Sequence, residues 1–271
     1  MLQLPQVTLC CVDTREPALA IEALQRCRAG VRFGRTLLFT DLSRAPSAVP
    51  EGIELLPARI ASVADYSAFM LRGLAEHVQG SHVLVVQWDG FVLDPAAWDP
   101  AFLQYDYVGA PWHDIAGDAG VGNGGFSLRS ARLLQALHDP ALAPSHPEDL
   151  CICREHRAAL ERQHGIRFAP RALAERFAFE RTLPAGRSFG FHGLFHFDRV
   201  LPPAELQALL ARLPDPMLRG LDAHDLARQL IGSGRLGAAK LIIDARRRMG
   251  MHDRRTWRLR ARLAWARWRT G

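Results

Sequence analysis

Four short segments of this chain carry side chains able to do chemistry, and they follow one another in order: QWDGFV with Asp89, VGNGGFSLRS with Asn123, Gly124 and Gly125, HPEDLCI with Glu148 and Asp149, and FGFHG with His192. Asp89 falls where a long apolar run ends, so its carboxylate is offered to something beyond a strand. The two glycines let backbone pass close to a neighbour with no Cβ between them, and Phe126-Ser127-Leu128-Arg129 then alternates as a strand does. VGNGG therefore reads as a strand start pressed against a ligand or another backbone. Glu148 and Asp149 open a helix, where carboxylates are favoured by the dipole, so capping and acid-base work are both open to them.

The elements that must position these groups alternate. VTLCCVDT (7–14) reads as a strand, 16–30 as a helix with Gly30 as C-cap, 35–41 and 53–58 as strands, 65–80 as a helix with Asp65 as N-cap, and 82–92 as the strongest strand of the chain. That order is the βαβ grammar of a parallel sheet covered by helices. Ligands of such sheets bind beyond the carboxyl ends of the strands, where Asp13, Thr14, Asp41 and Asp89 fall. After Pro95 the pattern changes to short strands (105–112 and 124–129), helices over 130–139 and 147–165, the latter capped by Gly165, and a Gly-punctuated aromatic stretch over 187–197. From about 203 everything is helical, the middle resembling one helix-turn-helix unit of the tetratricopeptide type. Residues 1–200 read as the catalytic domain and 201–271 as a helical appendage.

With 271 residues, 48% of them hydrophobic, the chain can bury a sizeable core and is not disordered. Its five cysteines are odd in number, lie in apolar or helical stretches and lack CxxC spacing, which points to reduced thiols in a cytoplasmic protein. No signal peptide or membrane-length apolar run is evident. The formal charge of +6 is concentrated in residues 245–271, where arginines interleave with Trp257, Leu259, Leu263, Trp265 and Trp268. Such a segment suits an anionic membrane surface, a helix packed on the domain or on another copy, or a nucleic acid, and no recognised nucleic-acid module accompanies it. The turn after the first strand, DTREP, holds no glycine, which excludes a GxGxxG dinucleotide site, and no P-loop is present.

QWDGFV, YDYVGAPW, NGGFSLR, the acidic helix start and FGFHG, in this order over residues 5–195, resemble the GT-A class of nucleotide-sugar glycosyltransferases. They are more closely similar to an uncharacterised glycosyltransferase-like family of bacteria and fungi, and more distantly to the β-1,4-galactosyltransferases. The resemblance implies a GT-A (Rossmann-like) mixed sheet covered by helices and a nucleotide-sugar donor, UDP-sugar favoured. It also implies Mn²⁺ or Mg²⁺ bound by a DxD motif, to clamp the donor diphosphate. Here Gln87-Trp88-Asp89 stands at that motif, so the first acid is absent and Asp89 remains, with His192 as the second metal ligand by the same resemblance. An oxygen and a nitrogen suit Mn²⁺ better than Mg²⁺; a backbone-bonded buried histidine is the other reading of His192, and His196 competes for its place.

The resemblance further implies that Gly124 and Gly125 lie under the donor sugar with Asn123 on its hydroxyls, and that Asp149, or else Glu148, is the base. Val12, Asp13, Thr14 and Arg15 are expected on the nucleotide, with Asp41 and Tyr66 as weaker candidates. Trp88 and Trp112 are expected to stack on sugar or base or to belong to the core, and Arg129 to meet the diphosphate, to face solvent or to meet an ion-pair partner. The activity implied is sugar transfer to a glycan or lipid-linked acceptor in cell-envelope polysaccharide synthesis, in the cytoplasm or peripherally on the inner face of the membrane. Two alternatives stay open: a metal-dependent nucleotidyltransferase or hydrolase, and a non-catalytic carbohydrate-binding protein.

Overall fold

The computed structural model describes residues 1–270, which divide into two compact units, 1–192 and 193 onward. The first unit opens with β1 (Leu2–Val12), α1 (Pro17–Arg28), β2 (Val31–Thr40), β3 (Glu54–Pro57), α2 (Val63–Ala68) and β4 (His82–Val86). It continues with β5 (Tyr107–Gly109), β6 (Phe126–Ser130), α3 (Ala131–Ala136), α4 (Glu148–Leu150), α5 (Arg157–His164), α6 (Arg171–Phe177), β7 (Ala178–Phe179) and β8 (Gly190–Phe191). The main sheet has the order β3-β2-β1-β4-β6-β5. Strands β3, β2, β1 and β4 are parallel, and β6 runs antiparallel between β4 and β5. The result is the expected α/β architecture with a mixed sheet.

Val7–Val12 and His82–Val86 are buried on both faces, as central strands under helices on both sides must be. One face of the sheet carries a core of Leu37, Phe39, Val83, Val85, Met70 and Leu74, closed by Leu133, Leu134, Ile152 and Leu160. Several boundaries differ from the sequence reading. β1 begins at Leu2, earlier than expected. β4 ends at Val86, because its antiparallel neighbour starts only at Phe126, and Gln87–Gly90 turns away through the Gly90 N–H to Gln87 carbonyl bond. α2 starts at Val63: Ser62 is the N-cap, and Asp65 closes a capping box from three residues inside. The C-cap of α1 is Ala29 rather than Gly30. The stretch 147–165 is three pieces, α4, a π turn (Cys151–Glu155) and α5, with Gly165 closing the last in the left-handed region as expected.

The small parallel β7–β8 sheet is anchored by aromatics: Phe126 of β6 packs on Phe177 and Phe189 at ring separations of 5.3 and 6.0 Å. All five cysteines are buried free thiols, and burial pushes those of Cys10 and Cys27 up to about 12.

The second unit is helical: α7 (Phe197–Val200), α8 (Pro203–Arg212), α9 (Leu221–Gly232), α10 (Leu236–Arg248) and α11 (Arg254–Thr270). Buried Arg246 knits it together, donating to Thr256 Oγ1 at 3.0 Å and to the Arg219 carbonyl at 2.7 Å. Asp253 caps α11 by accepting from the Arg255 and Thr256 N–H groups. No helix among the described residues is long and apolar enough to cross a membrane.

Candidate functional site

A cavity of about 230 Å³ opens beyond the carboxyl ends of β1 and β4, lined by Val12, Asp13, Thr14, Arg15, Tyr66, Gln87 and Trp88 together with Ile60, Ser62 and Val63. This is where a parallel sheet presents backbone and side chains to a ligand. Asp13 Oδ1 accepts from the N–H groups of Arg15 and Glu16, both at 2.8 Å, and so fixes the turn into α1. Thr14 Oγ1 donates to the Ile60 carbonyl at 3.1 Å and holds the opposite wall. A wider groove of about 610 Å³ shares Thr14, Arg15 and Ile60 with the cavity and adds Asp41, Arg44 and Arg59. Asp41 itself caps a short turn through Ser43.

Gln87 joins this cavity to a second group of polar side chains. Its Nε2 donates to the Tyr66 hydroxyl at 3.3 Å, and its Oε1 lies 3.1 Å from His192 Nε2. Asp89 Oδ1 lies 3.4 Å from the same nitrogen, and Glu180 Oε1 lies 3.6 Å from Nδ1. Burial disfavours the imidazolium, yet the Asp89 and Glu180 carboxylates outweigh it and raise the His192 pKa to about 10. Burial likewise opposes the charge on Glu180, and the His192 contact prevails, holding its carboxyl below the usual range. Asn123, the one non-glycine residue with positive φ among those described (φ 55), places Nδ2 3.3 Å from Nδ1 while its Oδ1 is buried without a hydrogen bond. Rotating that amide presents its oxygen to the His192 Nδ1–H.

The glycines of VGNGG serve the chain's own side chains. A Cβ on Gly125 would meet the His192 ring at 2.2 Å, and one on Gly124 would meet Glu148 Oε1 at 2.5 Å. The Gly124 N–H donates to Asp149 Oδ2 at 3.1 Å, and Asp149 Oδ1 accepts from the Leu150 N–H. Two glycines in sequence thus bring an imidazole and a carboxylate to adjacent points of one turn.

Of the alternatives open to Arg129, the structure shows the ion pair, with Glu148 as its partner. Arg129 is fully buried, 3.1 Å from Glu148 Oε1, bonded to Ser127 Oγ at 3.0 Å, and above the Tyr107 ring. It meets its ion-pair partner inside the protein, and Glu148 is correspondingly committed to it. Asp149 is the half-buried member of the acidic pair. Trp112 fills the space beside Gly122 and packs on the core, while Trp88 lines the cavity. His196 falls in the second unit, beside Phe195.

A divalent cation held by Asp89 Oδ1, Gln87 Oε1 and His192 Nε2 would have to displace the proton that Nε2 carries in the imidazolium. Ligands on neighbouring corners of an octahedron with bonds of about 2.1 Å stand about 3 Å apart, and Nε2 lies 3.1 and 3.4 Å from the two oxygens. Glu180 faces the other ring edge, so it supports the imidazole rather than adding to that set. Among the described residues, the group of three His, Cys, Asp or Glu side chains whose ligand atoms all lie within 4.8 Å of one another is Cys151, Glu155 and His156. Those are engaged elsewhere, Glu155 with Ser145, and Cys151 and His156 with the Ala143 carbonyl.

Sequence reasoning missed Glu180. β7 and β8 pair in parallel with Phe179 opposite Phe191, so the next residue of each, Glu180 and His192, come side by side. A two-residue strand leaves no periodic signal; an acid directly after the apolar FAF was the available one.

A search of curated proteins finds no match. Residues 52–192, spanning β3 to His192 and hence Gln87, Asp89, the VGNGG turn, the acidic pair and Glu180, match the family described as "Protein of unknown function (DUF5672)". With that match extending over more than half of its length, the chain belongs to this family.

Proposed function

We propose that this protein is a glycosyltransferase that takes a nucleotide sugar, a UDP-sugar by preference, and moves the sugar to a hydroxyl acceptor. The observation that carries the reading is the Gln87 bridge: one side chain lines the strand-end cavity and also touches His192, within reach of Asp89 and beside the turn that holds Asp149. The nucleotide has a place against Val12, Thr14, Tyr66 and Trp88, with Arg15, Arg44 and Arg59 as cations around the adjoining groove. Gln87, Asp89 and His192 would hold Mn²⁺ or Mg²⁺, which supplies charge neutralisation for a departing nucleoside diphosphate. Glu180 and Asn123 keep the imidazole in one orientation.

Asp149 then takes the proton of the attacking acceptor hydroxyl. Its carboxylate is fixed by two backbone N–H groups and is not tied to a cation, whereas Glu148 is consumed by Arg129. Glu148 therefore positions the turn and Asp149 does the chemistry. A hydrolase would use the same groups on water, and a binding protein would lack turnover altogether. Incubation with Mn²⁺ and a panel of nucleotide sugars, followed by thermal unfolding, tests the reading, since a ligand that binds only the native state raises its stability. One UDP-sugar is expected to raise the melting temperature, more so with Mn²⁺ than without, and to lose its sugar faster when a hydroxyl acceptor is added. No shift with any nucleotide sugar would overturn it.

A further inference from the structure

Helix α11 carries apolar side chains on two opposite faces. Thr256, Leu259 and Leu263 are buried within the second unit. At 100° per residue, Trp257, Ala261, Ala264, Trp265 and Trp268 fall on the face turned away from them. The three tryptophans are 63%, 58% and 78% exposed. Three of the eight large hydrophobic side chains exposed among the described residues stand on this stripe. Arg258, Arg262 and Arg269 run along one border of the stripe and Arg260 and Arg267 along the other, and α11 contains no acidic residue.

Beside the helix, Arg228 of α9 joins Arg262, Arg269 and Trp265 around a groove of about 480 Å³ with Gly232 and Gly234 in its wall and no carboxylate in its lining. The Arg269 guanidinium sits 4.6 Å from the centre of the Trp265 ring, which holds cation and indole together at its mouth.

We infer that the outer face of α11 docks on an anionic phospholipid bilayer, the tryptophans entering the headgroup layer and the Arg228–Arg262–Arg269 groove receiving a lipid phosphate. Charge complementarity selects this occupant. Arginines on both borders of a tryptophan ridge meet phosphates to either side when the helix lies flat on a plane, and indole rings settle at the boundary between headgroups and acyl chains. A second copy would set like charge against like charge along both borders. A single-stranded nucleic acid can stack on tryptophans, but it offers one line of phosphates to two rows of arginine. The inference stands apart from the glycosyltransferase reading, which it would supply with lipid-linked acceptors.

The test uses the full chain and vesicles of phosphatidylcholine alone or mixed with phosphatidylglycerol. Sedimentation with the mixed vesicles only, and release by high salt, are expected. Replacing Trp257, Trp265 and Trp268 together with alanine should leave the melting temperature unchanged, because the rings are exposed, and weaken vesicle binding at least about tenfold. Arg228→Gln with Arg262→Gln should weaken binding to the anionic vesicles as well. Failure to sediment with anionic vesicles overturns the inference, as does undiminished binding by the triple variant. Light scattering that shows a dimer dissolved by the tryptophan substitutions would assign the face to a second copy instead, and tight salt-sensitive binding of an oligonucleotide that displaces vesicles would assign it to nucleic acid.

Discussion

Arginine has two opposite uses in this protein, one around the VGNGG turn and one on α11. Arg129 is buried completely and meets Glu148, Ser127 and the Tyr107 ring, while the arginines of α11 lie outside beside exposed tryptophans on a helix without an acid. A charge taken out of water must be matched by partners at fixed distances, so it becomes a fixed point of the architecture. An exposed charge is already hydrated and costs the fold little. The first kind sets the geometry of the strand-end site, and the second leaves a surface.

The sharpest break in the matched region is between the two acids of the pair. Asp149→Asn keeps the shape and is expected to lower sugar-transfer turnover by about 10²–10⁴ while donor affinity holds, since a base acts mainly in the transition state. Equal losses in turnover and affinity would make Asp149 a binding residue. Glu148→Ala instead leaves Arg129 buried without a counter-charge and should cost about 3–5 kcal/mol in denaturant unfolding. A cost below about 1 kcal/mol would show that the pair does not hold the turn.

Asp106 supplies the pH arm of the same comparison. Burial opposes its charge, but bonds from Arg132, Ser130 Oγ and the Arg167 N–H prevail and lower its pKa below 3.8. A carboxyl with a depressed folded pKa contributes stability above its unfolded pKa and loses that contribution as pH falls through the folded one. Arg132→Gln should therefore be less stable than the parent at neutral pH, and the gap should close in acid below pH 3.8. A gap that persists unchanged in acid would contradict the pairing. On the unmatched side, Arg260→Gln should change stability by less than about 0.5 kcal/mol; a larger loss would show that α11 arginines do hold the fold.

These two regions were not equally legible in the sequence. The strand-end residues were, because an apolar run that stops at an Asp marks both the strand and its exit, as at VDT and QWD. Arg129 was harder. Its alternation with Leu128 suggests a solvent face, but β6 sits between two strands and is covered on both sides, so only the fold shows that the guanidinium turns inward. The breaks in 147–165 and the two-residue strands β7 and β8 leave no periodic trace, and Glu180 went unseen with them. On α11 the spacing of arginine and tryptophan was legible, but the leucines and the tryptophans each suggest an inward face, and packing decided for Leu259 and Leu263.

The most direct test of the account is calorimetric titration of UDP in the presence of Mn²⁺, run on the intact protein and on Asp89→Ala. Saturable binding by the parent, dependent on Mn²⁺, is predicted, with its loss in Asp89→Ala while the unliganded variant still unfolds in one cooperative transition. Absence of binding by the parent, or equal binding by the variant, would contradict it.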